Sequence, residues 1–83
     1  MSDVMIKEYR YEAATFTSYS VRVDDATAVR VDLHDDGRRL VGVSHDPSKG
    51  RRGSKPPVMY EVGQEPSAYA STVQAILAHI DSK

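Results

Sequence analysis

Residues 27–44 alternate between apolar and polar side chains on both sides of an Asp-Asp-Gly sequence. A period of two is typical of a strand with one buried and one solvated face. The apolar positions nearest the middle of both segments are valines: Val29, Val31, Val41 and Val43. The pattern therefore predicts a β-hairpin whose valines share one face of a sheet.

The length of the turn decides which residues of this hairpin face each other. A two-residue loop ending at Gly37 would pair Asp32 with Val41 and would mix charged and apolar side chains on one face. A three-residue loop ending at Gly37 pairs Val31 with Val41 and places the glycine where the chain needs a positive φ. Because a one-residue slip turns every side chain over, we predict the three-residue loop.

Three further segments, residues 4–12, 15–23 and 58–62, have strand-like patterns. The first fits an edge strand less clearly, because its apolar residues fall on both parities and Lys7 interrupts one face; whether it forms that strand stays open. Tyr60 belongs to the core side of the last segment by parity. These segments extend the hairpin to an antiparallel β-sheet of four to five strands.

The C-terminal region has the spacing of an amphipathic helix, with apolar residues at Tyr69, Val73, Ile76, Leu77 and Ile80. Pro66 suits the first helical turn, and Ser67 is a candidate cap. We predict one α+β domain over residues 1–83, in which strands connected as hairpins form a meander and the helix packs on one face. The expected core comprises Val29, Val31, Val41, Val43, Val73, Ile76, Leu77 and Ile80.

The chain contains no cysteine, which excludes disulfides and thiolate chemistry and suits a reducing compartment. No stretch approaches the ~20 apolar residues of a membrane span. The first ten residues carry four charges and lack the apolar run of a signal peptide. We therefore expect a cytoplasmic protein that does not associate with membranes.

The connection at residues 46–57, DPSKGRRGSKPP, concentrates positive charge. Counted over Pro47–Pro57, this connection contains four of the eleven Lys and Arg residues and no carboxylate, whereas the rest of the chain contains the other seven and all twelve Asp and Glu residues. The four cations are Lys49, Arg51, Arg52 and Lys55. Such a local asymmetry indicates a partner with an acidic surface. A solvated connection without a binding role explains the same composition, and that alternative stays open.

Tyrosine dominates the aromatic residues, with five Tyr and one Phe. Tyr9, Tyr11 and Phe16 flank the predicted sheet edge, where we expect them to be partly exposed. Tyr and Arg are enriched at protein–protein interfaces. The candidate partner-binding residues are therefore Tyr9 and Tyr11 together with the four cations of the basic loop.

The sequence contains none of the motifs that indicate catalysis, such as Gly-x-Ser-x-Gly. His34 and His45 fall at opposite ends of the predicted hairpin, roughly 23 Å apart at ~3.3 Å per residue, which is too far to share an ion. The paired aspartates at 24–25 and 35–36 lie at predicted turns, where Asp is favoured by the backbone. We expect no catalytic residue, no metal and no cofactor, and hence a protein that is not an enzyme.

These observations predict a small non-enzymatic binding module, of the regulator or inhibitor type that phages and plasmids carry. It would block a surface of a larger protein complex through the basic loop and the tyrosine-bearing sheet edge. The alternative is a nucleic-acid-binding module that places residues 49–55 on a phosphate backbone. The aspartates of the body count against that alternative unless they lie far from the loop, so a protein partner is favoured over nucleic acid.

Overall fold

A computed structural model describes residues 5–45 and 57–82, and within them the chain forms a five-stranded antiparallel sheet followed by a helical segment. The strands pair in chain order, so the sheet is a meander, and the predicted α+β fold is confirmed. The elements are β1 (Lys7–Tyr9), β2 (Phe16–Asp24), β3 (Thr27–His34), β4 (Arg39–His45), β5 (Val58–Glu61), a 3-10 helix (Ser67–Tyr69) and α1 (Ala70–Asp81).

The β3–β4 hairpin has the predicted register. Val31 pairs with Val41, and Val29 pairs with Val43. Gly37 adopts a φ of 98°. Glycine is favoured at such an angle because the residue lacks the Cβ that would clash with the backbone there. The backbone N–H of His34 donates to the carbonyl of Arg38 at 2.8 Å and closes the three-residue loop, and within it the N–H of Gly37 donates to the carbonyl of His34 at 2.9 Å.

The core lies between one face of the sheet and α1, which packs against β2 and β3. Its buried apolar residues are Tyr19, Val21, Val29, Val31, Val41, Val43, Val73, Ile76 and Ile80. Tyr60 and Tyr69 are half-buried and pack against this cluster. No helix in the described ranges is long and apolar enough to cross a membrane.

The prediction that Leu77 is buried with the core is wrong, since Leu77 is half-buried at the margin of the cluster. The helix contacts the sheet through Val73, Ile76 and Ile80. Leu77 follows Ile76 directly and is rotated from it by about 100° around the helix axis, so it lies at the margin of this contact. Ser67 does not cap α1, because it begins the 3-10 turn and its side chain makes no capping hydrogen bond.

The N-terminal edge strand exists but is shorter than the predicted segment at residues 4–12. Among its described residues, 5–12, this segment pairs with β2 through Lys7–Tyr9 alone. Beyond Tyr9 the chain turns, and the N–H of Ala14 donates to the carbonyl of Tyr11 at 3.0 Å. The turn takes residues 11–14 out of line with β2, so pairing ends.

The side of the sheet opposite α1 is here called the open face. Alternation places Ser18, Arg30 and Asp32 on it, because their neighbours Tyr19 and Val31 point into the core. This face carries the side chains described next.

Candidate functional site

A concavity of about 200 Å³ lies on the open face and extends from β1 to β4. We call it the open-face concavity. Cross-strand pairing brings its walls together, with Tyr9 opposite Ser18 and Ala28 opposite Ser44. The residues that line it are Tyr9, Tyr11, Phe16, Ser18, Ser20, Ala28, Arg30 and Ser44.

Arg30 lies flat across the neighbouring strand β4, opposite Gly42. A Cβ added at Gly42 would lie 3.1 Å from Nε of Arg30 and 3.2 Å from its Cγ, so the glycine makes room for the guanidinium and its stem. The side chain of Arg30 is 33% exposed. Its Nε is buried and has no hydrogen-bond acceptor among the described residues.

Asp32 holds Arg30 in this position from two residues further along β3. Nη2 of Arg30 lies 3.3 Å from Oδ2 of Asp32, and the Ser18 hydroxyl donates to Oδ1 at 2.7 Å. Asp32 is only 3% exposed. A carboxylate is costly to bury unless it is paired and hydrogen-bonded, so the contacts with Ser18 and Arg30 allow Asp32 to occupy this position.

Tyr9 and Tyr11 supply aromatic surface at the β1 side of the concavity. They are 49% and 79% exposed, as expected from the sequence. Phe16 is half-buried, and its ring centroid lies 5.0 Å from that of His34. The two predicted partner-binding tyrosines therefore line one concavity with Phe16 and Arg30. Arg30 is a cation that the sequence analysis did not select.

The turn after β1 is held by Arg10, which stands outside the concavity. Nη2 of Arg10 donates to the carbonyl of Ala14 at 2.9 Å and to Oδ2 of Asp35 at 2.8 Å. The hydrogen bond from Arg10 lowers the pKa of the Asp35 carboxyl, and the positive charge of Arg10 adds to this effect. These contacts tie residues 10–14 to the β3–β4 turn.

Most of the positive charge in the described part of the chain is paired with aspartate. Four of its six Lys and Arg residues form ion pairs: Arg10–Asp35, Arg30–Asp32, Arg38–Asp36 and Arg39–Asp81. Lys7 and Arg22 form no ion pair with any described residue. Both flank the concavity, since Lys7 lies opposite Ser20 and Arg22 opposite Ala28.

The basic loop leaves the sheet at the end opposite Gly37. It follows His45, which pairs with Thr27 at the start of β3. The β2–β3 turn, with Asp24 and Asp25, lies at this same end. Residues 46–56 fall outside the described residues, and with them the candidate residues Lys49, Arg51, Arg52 and Lys55.

Sequence reasoning missed Arg30, Ser18 and Ser20 as site residues. The available signal was their shared parity on the predicted polar face, together with a glycine opposite the arginine.

Within residues 5–45 and 57–82, no group of three or more His, Asp or Glu residues is positioned to hold a metal ion. Rings, hydroxyls and a guanidinium are groups that can bind a partner by packing and hydrogen bonding.

Comparison with protein-family models, curated proteins and solved structures found no match to this chain. The chemistry of the open face is therefore the basis for a functional proposal.

Proposed function

We propose that this protein is a small non-enzymatic binding module that occupies a surface of a larger protein, with the open-face concavity at the centre of the contact. The observation that carries the proposal is the convergence of Tyr9, Tyr11, Phe16 and Arg30 around one concavity. Tyr and Arg are the residues that most often dominate binding energy at protein interfaces, where they cluster near the centre of the contact.

The size of the concavity favours a macromolecular ligand over a metabolite. Its volume of about 200 Å³ is below the ~300–1,000 Å³ of typical small-molecule pockets. A space of this size accepts one side chain of a partner and leaves the rest of that partner on the surrounding surface. The exposed rings of Tyr9 and Tyr11 extend the contact beyond the concavity.

The charge distribution favours a protein over nucleic acid. Binding to a phosphate backbone draws its affinity from several cations that are available to neutralise phosphates. In the described part of the chain, four of six cations already pair with aspartates. The basic loop also leaves the sheet beside Asp24 and Asp25, which would repel phosphates close to its attachment.

Within this proposal the basic loop, through Lys49, Arg51, Arg52 and Lys55, attracts an acidic partner and accelerates encounter. The tyrosine-bearing edge and the concavity supply the close contact. A module of this kind acts by blocking a surface of its partner, as a regulator or inhibitor does. The absence of cysteine suits action in the cytoplasm.

Replacing both Tyr9 and Tyr11 with Ala tests the proposal. Both side chains are exposed, so the fold should persist while the central contact is lost. We expect the tagged wild-type chain to retain a discrete protein from a lysate of its source cells. The double variant should bind that protein with at least ~10-fold lower affinity, a loss of about 1.4 kcal/mol. Circular dichroism checks the fold.

The matched control removes exposed apolar side chains at the opposite edge of the sheet. Val58 and Val62 are 50% and 39% exposed, and their replacement by Ala should leave retention unchanged. If the tyrosine variant still retains the partner and the valine variant does not, the binding surface lies at β5 and the proposed site is wrong.

Single-stranded nucleic acid is the second candidate partner, and one observation favours it. Lys7 and Arg22 flank the concavity without an ion pair to any described residue, and the rings of Tyr9, Tyr11 and Phe16 are groups on which bases can stack. Gel-shift assays with a single-stranded oligonucleotide distinguish this candidate from a protein partner.

A further inference from the structure

We propose that the open-face concavity recognises an acidic side chain of a protein partner, whose carboxylate pairs with the guanidinium of Arg30. This inference rests on the proposed function and names the chemistry of the anchor residue that the site accepts. The partner segment would present a Glu or Asp side chain to the concavity, and its flanking residues would pack on Tyr9 and Tyr11.

The first support is the unused hydrogen-bonding capacity of Arg30. A guanidinium has five N–H donors in a fork that matches a carboxylate. Among the described residues Arg30 makes one ion pair, at 3.3 Å to Asp32, and its buried Nε has no acceptor. A third of the side chain remains exposed, and Arg30 lines the concavity. Because Nε itself is buried, a carboxylate in the concavity would pair with the exposed terminal N–H groups of the guanidinium, which the single contact with Asp32 leaves largely unused.

The second support is the sign of the charge around the site. On strands β1, β2 and β3 the open face carries three cations, Lys7, Arg22 and Arg30, and one carboxylate, that of Asp32. Asp32 is almost fully buried and is engaged by Ser18 and Arg30. None of the eight residues that line the concavity is acidic. An incoming ligand therefore meets an excess of positive charge, which favours an anion.

The third support concerns which anion fits. Sites for phosphorylated partners are usually built from clusters of arginines, whereas this concavity is lined by one guanidinium with Ser18, Ser20 and Ser44. The Ser18 hydroxyl already donates to Asp32, so Ser20 and Ser44 are the lining hydroxyls that can donate to a carboxylate oxygen of a ligand. The rings of Tyr9 and Phe16 offer apolar surface to the methylene groups of a Glu side chain. One guanidinium with neutral hydroxyl donors beside it suits a single carboxylate.

Gly42 offers a way to displace Arg30 without changing its chemistry. A Cβ at this position would lie 3.1 Å from Nε of Arg30 and 3.1 Å from Sδ of Met59. These distances are tighter than ordinary contacts, and both neighbours belong to flexible side chains. Gly42→Ala therefore shifts the Arg30 side chain by a few tenths of an ångström while the backbone of β4 remains as it is.

The experiment is an NMR titration of the ¹⁵N-labelled full chain with two blocked tripeptides, acetyl-Ala-Glu-Ala-amide and its Gln counterpart. We expect the Glu peptide to shift the Nε–H resonance of Arg30 and the backbone amides of Tyr9, Ser20 and Ala28 in a saturable manner. The Gln peptide has the same shape without the charge, and it should bind at least ~10-fold more weakly, a difference of about 1.4 kcal/mol.

Three variants separate recognition by Arg30 from a structural role. Arg30→Gln should abolish the preference for Glu over Gln. Arg30→Lys keeps the charge and loses the fork, so it should reduce that preference. Gly42→Ala should reduce it while Arg30 is present. Arg30→Gln leaves Asp32 without a counter-ion, so thermal unfolding is measured for each variant. If Arg30→Gln does not fold, Arg30→Lys and Gly42→Ala still test the inference, because both retain a cation beside Asp32.

Equal binding of the two peptides, or shifts confined to residues away from the concavity, would overturn the inference. A thymidine oligonucleotide that moves the same resonances at lower concentration than the Glu peptide would also overturn it, in favour of nucleic acid. If a partner protein is lost with the Tyr9 and Tyr11 variant but kept at full affinity by Arg30→Gln, the proposed function stands and carboxylate recognition fails.

Discussion

Each of the four paired arginines in the described part of the chain lies beside an aspartate, and burial decides what the pair contributes. The Asp32 side chain is 4% exposed, whereas the carboxylates of Asp35, Asp36 and Asp81 are well exposed. Exposed pairs stabilise a fold little, because water screens them and two side chains lose freedom. The pair of Arg30 and Asp32 is different, because removing one partner would leave the other poorly solvated.

The Arg10–Asp35 pair predicts a pH dependence. The pKa of Asp35 lies below its ordinary value of 3.8, mainly because Arg10 donates a hydrogen bond to the carboxylate. A carboxyl whose folded-state pKa is lowered favours folding at neutral pH, and this contribution is lost as the pH falls through that lowered pKa. We expect an NMR titration of the Asp35 carboxyl carbon to give a midpoint below 3.8, and Arg10→Ala to raise it.

Asp36 is the internal control for this titration. Its pKa is also lowered, but chiefly by the backbone N–H of Arg38. The midpoint of Asp36 should therefore stay in place in Arg10→Ala. A midpoint of Asp35 that does not respond to Arg10→Ala would show that the two side chains are not paired in solution.

At the scale of elements, α1 supplies one half of the core and the sheet supplies the other. The helix docks on β2 and β3 through Val73, Ile76 and Ile80, and Arg39 at the start of β4 reaches Asp81 at the helix end at 2.8 Å. Both edge strands are short, with three residues in β1 and four in β5. Short edges limit unwanted pairing with other chains, so the fold depends on the helix and the three central strands.

The docking of α1 can be tested with two adjacent large-to-small substitutions. Ile76 is fully buried, and Ile76→Ala should cost ~2–5 kcal/mol because it leaves a cavity. Leu77 is half-buried at the margin, so Leu77→Ala should cost clearly less. Urea unfolding followed by circular dichroism measures both. Equal costs, or a larger cost for Leu77→Ala, would mean that the helix is rotated from the position described.

At the scale of the whole molecule, charge is arranged along the β3–β4 hairpin. Asp35 and Asp36 lie at the Gly37 end and are paired with Arg10 and Arg38. The basic loop is attached at the other end, after His45, which pairs with Thr27. Asp24 and Asp25 lie at this same end, so the point where the basic loop is attached is itself acidic.

Charge reversal in the basic loop tests whether it takes part in binding. Replacing Arg51 and Arg52 with Glu should leave folding intact and weaken binding by at least ~10-fold, since reversal against an acidic surface affects both encounter and complex. Affinity is measured over a salt series. A nucleic-acid partner would give a steep salt dependence, with a slope corresponding to about three to four phosphates, and a protein partner a milder one.

Arg38→Glu is the control for charge reversal at the opposite end of the hairpin. Arg38 is exposed, and its replacement should leave binding nearly unchanged. If the reversal of Arg51 and Arg52 leaves the affinity at the wild-type value, the loop is a solvated connection and the open face alone carries the contact.

The local patterns of the sequence were sufficient for the fold, the hairpin register and most of the core. The alternation around Gly37 and the helical spacing of Val73, Ile76 and Ile80 depend only on the period of each element, which is a property of a few consecutive residues. The exposure of Tyr9 and Tyr11 followed in the same way from their place at a sheet edge.

The candidate site was decided by the tertiary structure. Ser18 meets Asp32 across two strands, and Arg30 lies flat only because Gly42 is opposite it. Such contacts depend on which residues are neighbours across the strands, and the periodicity of a single segment does not specify these neighbours. The partial burial of Leu77 has the same cause, since the sequence defined an apolar stripe on the helix, and only the packed sheet determined which residues of that stripe it covers.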